Sequence, residues 1–493
     1  MIVKSNVIRK GSTDMSTKRF ALSAKFAVKF SAEFAATNAA KFAATAALVA
    51  LMAVMVLMMT ACSAEDGGSN GSAGKPAAEE SAEGAEAGSA ESAEGAEGAE
   101  GAEAGSAGSG SGEAVVKDQT TGEGAVEGLP EYKLTGETDL PGNFFLSFVY
   151  SRNIVMLDGK GNIVWSKHEE QPDKDAHTGW WDFKKHVIDG KTYYSYHDQI
   201  WTYDNYGFLG YAPGERVILD EDFNEVKRIK FEKSDVVEKD APLDGHDFLM
   251  IDLDHYILSG YIKDTVKNNP DYPDGSSVVY SYLQEVKDGE VVWDWKSVDY
   301  PELYKLTVTA GDPTADDFGN KKTDVPDYIH FNAMRIDEDG DLICSFRNLS
   351  TILCLDRTKQ DDQIKWKLSG KADEFGLAGD QKTSCQHYVT LDGEYISAFS
   401  NGNDKERTRL LAYKIDKEKK AAELVRMNYI QGKYSSACGS LQHISGELYT
   451  IGWGRTENDS ECMSVYDFAA GKKLMSIELA NKDNFTYRCV YYE

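Results

Sequence analysis

The sequence predicts an all-β domain over residues 129–493, a six-bladed β-propeller behind a disordered linker, closed by pairing of its N- and C-terminal strands. Three observations predict it. Short runs rich in Val, Ile, Tyr, Phe and Trp recur between Asp-Gly, Gly-Asn and Asn-Gly turns, as hairpin strands do. Two kinds of hairpin alternate along the chain, the signature of repeated four-stranded units. One unit at the start of the domain lacks a strand, and a spare strand stands at the end.

The units follow in order. Residues 143–150 open the first and lead into an outer hairpin, 154–158 turning to 162–165. Inner hairpins come next: 185–196 with its turn at Asp189-Gly190, 246–261 turning around 252–255, and 330–346 turning at Glu338-Asp339-Gly340. Two more follow, 387–399 turning at Asp392-Gly393 and 439–453 turning at Ser445-Gly446. Outer hairpins pair 284–289 with 291–295, 351–356 with 364–366, and 464–467 with 473–475. These make five full units. The spare strand, 485–492, completes the first unit and closes the ring, which hides the sheet edges. Seven blades is the alternative count.

Ahead of the domain, an uncharged apolar run over 42–59 follows Lys18, Arg19, Lys25, Lys29 and Lys41, and ends at Thr60-Ala61-Cys62. A basic region, a hydrophobic stretch and small residues before a cysteine make a secretory signal of the lipoprotein kind over 1–61, with Cys62 as the lipidated residue. An uncleaved membrane anchor is the alternative, and Met15 is an alternative start. Residues 62–128 are almost wholly Gly, Ala, Ser and Glu and contain no aromatic residue. Such a segment buries too little apolar surface to offset its ordering entropy and is expected to be a disordered tether.

The leader carries a net charge of +6, the linker −13, and the remaining domain −21. That excludes the basic footprint of a nucleic-acid partner. Six cysteines remain after Cys62, all in the C-terminal third. Export permits disulfides, but the pairing is not readable. No Cys-x-x-Cys pair occurs, which argues against zinc.

Inner strands border the channel of a propeller, so the residues that start them converge on its axis. His246, His330 and His387 start inner strands, and Arg347 ends the second strand of the His330 unit. A neutral imidazole serves as nucleophile or base near neutral pH. A guanidinium neutralises charge developing on an oxyanion. The set fits transfer of an anionic group better than hydride or acyl chemistry.

The segments around these residues are Asp244-Gly245-His246-Asp247-Phe248, Asp327-Tyr328-Ile329-His330-Phe331-Asn332, Ser345-Phe346-Arg347-Asn348-Leu349-Ser350 and Cys385-Gln386-His387-Tyr388. With Gly439-Ser440-Leu441 and Tyr487-Arg488, they resemble the bacterial aryl-sulfate sulfotransferases over most of residues 140–493. The resemblance implies a six-bladed propeller that moves a sulfuryl group from an aryl sulfate donor to a phenol acceptor, without a nucleotide sulfate donor or other cofactor. It implies His387 as the transiently sulfated nucleophile, with His330, His246 and Arg347 holding the sulfate oxygens and Asn332 binding substrate beside His330. The larger N-terminal β domain of some members is missing, 129–141 being short, and no cysteine pair matches the family's disulfide. Two other readings stay open on the same residues: an aryl-sulfate hydrolase, and a surface propeller that only binds a ligand or protein.

Tyr388 and Trp453 are candidates either to stack on a phenol ring or to pack the core. Asp337-Glu338-Asp339-Gly340-Asp341 resembles a calcium loop but lacks the distal Glu, and reads as a polar hairpin turn. His168, His177 and His186 fall outside the four segments, though His186 lies on an inner strand.

Overall fold

The computed structural model describes residues 103–104, 116–119, 126, 128–172, 177–200, 210–270, 274–308, 327–481 and 484–493. All of them belong to the second of the two units into which the chain divides, Ala96–Glu493. The leader, Cys62 and most of the expected linker lie outside the described residues. Among the described residues no helix is long and apolar enough to cross a membrane.

Six sheets, each with four antiparallel strands as its blade, form the ring, so the six-blade count holds. The second blade runs Trp180–Ile188, Lys191–Gln199, Gly214–Leu219 and Glu225–Ile229 from the channel outward. The third runs Leu249–Met250, His255–Val266, Ser276–Lys287 and Glu290–Lys296. The fourth runs Phe331–Ile336, Leu342–Phe346, Thr351–Leu355 and Ile364–Leu368. The fifth is His387–Asp392, Tyr395–Ser400, Arg409–Asp416 and Ala421–Ile430, and the sixth Ser440–Ser445, Leu448–Gly452, Glu461–Asp467 and Lys472–Leu479.

The first blade is the closing one. Its inner strand is the end of the chain, Thr486–Tyr492, which pairs with Asn143–Phe148 from Thr486 opposite Phe148 to Tyr492 opposite Asn143. Asn153–Asp158 and Ile163–His168 complete it. A second closure was not read from the sequence. Tyr132–Gly136 adds to the outer edge of the sixth blade, pairing with Lys472–Leu479, and Val116–Gln119 adds outside it. Glu103–Ala104 pairs in parallel with the edge of the fifth blade. These last two short strands fall inside the stretch expected to be linker.

Blades stack face to face, so their middle strands are buried on both sides. Leu342–Phe346 and Thr351–Leu355 are buried at every position, whereas the outer Glu225–Ile229 is mostly open. Each interface is an apolar wedge. Phe145, Met156, Trp180 and Val217 fill the space between the first two blades, and Phe399, Leu441, Ile451 and Trp453 that between the last two. The Asp189-Gly190 and Asp288-Gly289 turns have positive φ at both residues, the primed geometry that matches strand twist.

Candidate active site

Inner strands enter the channel in one direction, so their first residues gather at one mouth. His330 immediately precedes an inner strand, His246 stands just ahead of one that begins at Leu249, and His387 begins one. Their rings meet: the His246 centroid is 5.0 Å from that of His330 and 6.0 Å from that of His387. The strands are bent to achieve this. Strand register breaks between Trp181 and Lys184, Phe331 and Ala333, His387 and Val389, and Thr486 and Arg488. Asp182, His330 and Tyr388 take positive φ values of 53°, 52° and 53°. Bulges of this kind re-aim side chains next to functional sites.

Two of the histidines are held by carboxylates. His246 Nδ1 bonds Asp244, whose Oδ1 also accepts the His246 amide at 2.9 Å. His330 Nδ1 bonds Asp327 Oδ2 at 2.5 Å, and Asp327 Oδ1 accepts the His330 amide at 3.0 Å. Burial alone would raise the Asp244 carboxyl, but His246 and the amide bonds hold it below the usual carboxylate range. Burial pushes the His246 imidazole down against the pull of Asp244.

His387 is held differently. Its Nδ1 lies 2.9 Å from the Gly439 carbonyl oxygen. A carbonyl only accepts, so Nδ1 carries the hydrogen and Nε2 keeps its lone pair. Burial, then Arg488 and His246, pushes this imidazole well below its ordinary range. Gly439 has φ +99°, and a Cβ there would stand 2.4 Å from the Phe399 ring. Only glycine brings that carbonyl to His387.

Arg347 opens a short 3-10 turn after the second strand of the fourth blade. Its amide donates to the His330 carbonyl at 2.8 Å, while its Nη2 donates to the Ser436 carbonyl at 3.0 Å. The guanidinium is buried and acts electrostatically on Tyr261, whose ring lies 5.5 Å from His330. Asn332 is fully buried in a bulge. Its Nδ2 donates to the Gln386 carbonyl at 2.8 Å, bracing the His387 strand, and its Oδ1 has no hydrogen-bond partner among the described residues.

The rings around the histidines are not those singled out from sequence. Tyr487 lies 5.4 Å from His387 and 5.9 Å from His246, and its hydroxyl donates to the His246 carbonyl at 2.8 Å. Trp181 lies 5.9 Å from His246. Trp453 packs the core, with its indole N–H on Ser464 Oγ at 2.7 Å. Tyr388 lies between the Arg335 and Arg488 guanidiniums, 4.6 and 4.4 Å from its centroid, on the far side of the histidine layer. Both choices therefore resolve as packing rather than phenol stacking.

Arg488 was noted only as part of a matching segment, yet it is central. Wholly buried, it donates to Asp182 at 2.6 Å and to the Asn332 carbonyl. His186 bonds Ser195 Oγ at 2.8 Å, away from the three clustered imidazoles. His168 bonds Asn153 Oδ1 at 2.8 Å on an outer strand, and His177 is exposed. The Asp337-to-Asp341 segment is a hairpin turn, with Lys417 on Asp337 and Lys365 on Asp341. The six described cysteines are free thiols.

A family model described as Arylsulfotransferase (ASST) matches residues 197–458, over half the chain, and spans His246, His330, Asn332, Arg347 and His387. No curated protein matches significantly. Solved structures that resemble the chain include a protein of unknown function from Bacteroides caccae, 13% identical over 72% of this chain and 100% of that one, with a TM-score of 0.37. Another is the periplasmic gluconolactonase PpgL of Pseudomonas aeruginosa, 12% identical over 71% and 99%, with a TM-score of 0.38. A virginiamycin B lyase from Staphylococcus aureus is 11% identical over 71% and 100%, with a TM-score of 0.28. Likenesses at this level carry no argument.

Proposed function

The chain belongs to the arylsulfotransferase family, and we propose that it moves a sulfuryl group from an aryl sulfate ester to a phenol in two half-reactions, through a sulfated His387. The observation that carries this is the contrast among the histidines: one is backed by a carbonyl, two by carboxylates. The carbonyl-backed imidazole is the one built to attack.

In the first half-reaction His387 Nε2 attacks sulfur, the N–S bond forms and the bond from sulfur to the aryl oxygen breaks. The sulfated ring is cationic, and its Nδ1–H remains on the Gly439 carbonyl. The departing phenolate takes a proton from His330, whose Nδ1 stays on Asp327. His246 and Arg347 hold the sulfuryl oxygens, and Asn332 Oδ1 faces the substrate. In the second half-reaction His330 takes the proton of the incoming phenol, whose oxygen attacks sulfur as the N–S bond breaks. A covalent intermediate of this kind predicts ping-pong kinetics.

The leader supports a location for this activity: outside the cytoplasm, tethered to the membrane by lipid on Cys62. Cys62→Ser should release the protein from the membrane fraction. The test of the reaction is full-length enzyme with 4-nitrophenyl sulfate, with and without phenol. Release of nitrophenol that depends on phenol, with phenyl sulfate as product, supports transfer. Equal release with free sulfate as product makes the enzyme a hydrolase, and no release with several donors makes the propeller a binding module.

A further inference from the structure

The inner strands that begin at the histidine cluster end at the opposite mouth of the channel, around a cavity of about 310 Å³. Its wall includes Lys184, Arg335, Thr390, Leu391, Gln442 and Tyr492. Each stands three to five positions beyond a first-mouth residue of its strand, from Trp181 to Lys184 and from His387 to Thr390. At roughly 3.3 Å per residue the two mouths are about 10–17 Å apart.

A packed layer separates them. Arg488 bonds Asp182, Arg335 bonds Asp247 at 2.8 Å, and the Tyr388 ring lies between the two guanidiniums. Lys184 bonds both Asp182 and Asp247, and Arg216 bonds Asp182 at 2.7 Å. Four cationic side chains thus share two carboxylates. Burial pushes the Lys184 ammonium below its usual range; with all four charged, the layer holds two more cations than carboxylates. Such charge is costly unless an anion meets it.

The open positive edge faces the far cavity. Arg335 uses Nη1 on Asp247 and the Met334 carbonyl, while its Nε and Nη2 have no hydrogen-bond partner among the described residues. Lys185, also in the wall, has no side-chain carboxylate partner among the described residues and donates to the main-chain oxygen of Glu493, the last residue. Among the described residues Asp392 is the one side-chain carboxylate in the wall, and it is bonded to His443. Phe248, Leu391 and Val490 supply an apolar side.

We propose that this cavity is a second binding site, distinct from the histidine cluster, for a small organic anion whose carboxylate or sulfonate meets Arg335 and whose apolar body lies on Phe248, Leu391 and Val490. A guanidinium with two free N–H groups suits a bidentate oxyanion, and the volume suits a ligand of about one aromatic ring. The site does not depend on the sulfuryl-transfer reading.

The test is photolabelling of the full-length protein with 4-azidobenzoate, followed by peptide mapping. Adducts are expected on the peptides holding Thr390 to Asp392 and Val490 to Tyr492. Thr390→Trp, which fills the cavity from a half-buried position, should abolish them. Arg335→Gln should weaken labelling at least ~10-fold. Adducts confined to peptides of the histidine mouth, no adducts, or far-mouth adducts unchanged in Thr390→Trp would overturn the proposal.

Discussion

The imidazole of His387 and the carbonyl of Gly439 are 2.9 Å apart, and this contact fixes which ring nitrogen carries the hydrogen. It divides three neighbouring histidines into two chemical kinds. A carbonyl leaves Nε2 of His387 as a lone pair. His246 and His330 instead set Nδ1 on the carboxylates of Asp244 and Asp327, a charged acceptor in place of a neutral one. One fold thus sets a carbonyl-backed imidazole, His387, 6.0 Å from a carboxylate-backed one, His246.

If His330 delivers the proton, its carboxylate partner matters most for poor leaving groups. Asp327→Asn keeps an oxygen for the His330 amide but removes the charge. Transfer from sulfates of weakly acidic phenols should slow roughly 10²–10⁴-fold, and transfer from 4-nitrophenyl sulfate much less. The measurement is the dependence of rate on leaving-group pKa, which should steepen. An unchanged slope would remove His330 from the proton transfer.

Ring closure depends on the last strand. A chain ending at Lys482 loses Thr486–Tyr492 and exposes the edge of Asn143–Phe148; it should no longer melt cooperatively. The subtler variant is Arg488→Met, which removes the buried hydrogen bonds to Asp182 and to the Asn332 carbonyl and should cost about 1.5–3 kcal/mol, seen as a lower urea midpoint. A truncated chain that melts like the intact protein would contradict the closure.

Acid should loosen the fold before its carboxylates titrate. Burial, then Arg216, pushes His197 down to about 4, from about 6.5 in the unfolded chain. Below pH 6.5 the unfolded chain therefore binds a proton that the folded one refuses, and stability falls with pH. His197 alone contributes a loss of about 3 kcal/mol by pH 4. His197→Gln, which can still donate to the Ala212 carbonyl, should flatten the melting temperature between pH 6.5 and 4.5 relative to the parent. An equally steep decline in the variant would rule His197 out.

The ring was legible because strand and turn residues repeat at blade spacing, and because the first unit visibly lacked a strand. The histidines were legible because each stands at the start of such a strand or just ahead of it. Their carboxylates stood in the quoted segments, two and three residues ahead of His246 and His330, but only the bend of the backbone shows them bonded to Nδ1. Arg488 and Asp182 meet across 306 residues, which no local pattern records. Tyr132–Gly136 escaped notice because five residues beside a Gly- and Glu-rich stretch have little strand character alone; the edge of the sixth blade makes them a strand. Tyr388 follows His387 in sequence, but a bulge turns it to the other side of the layer.

The central claim is that His387 carries the sulfuryl group, and mass spectrometry of enzyme quenched soon after mixing with donor alone tests it most directly. His330→Ala and Arg347→Ala should form the adduct roughly 10²–10³-fold more slowly, having lost stabilisation of the developing charge, but on the same residue. The account predicts a mass gain of one sulfuryl group, mapped to the peptide containing His387 and absent from His387→Ala. A label on His330 or His246, or one that persists in His387→Ala, would contradict it.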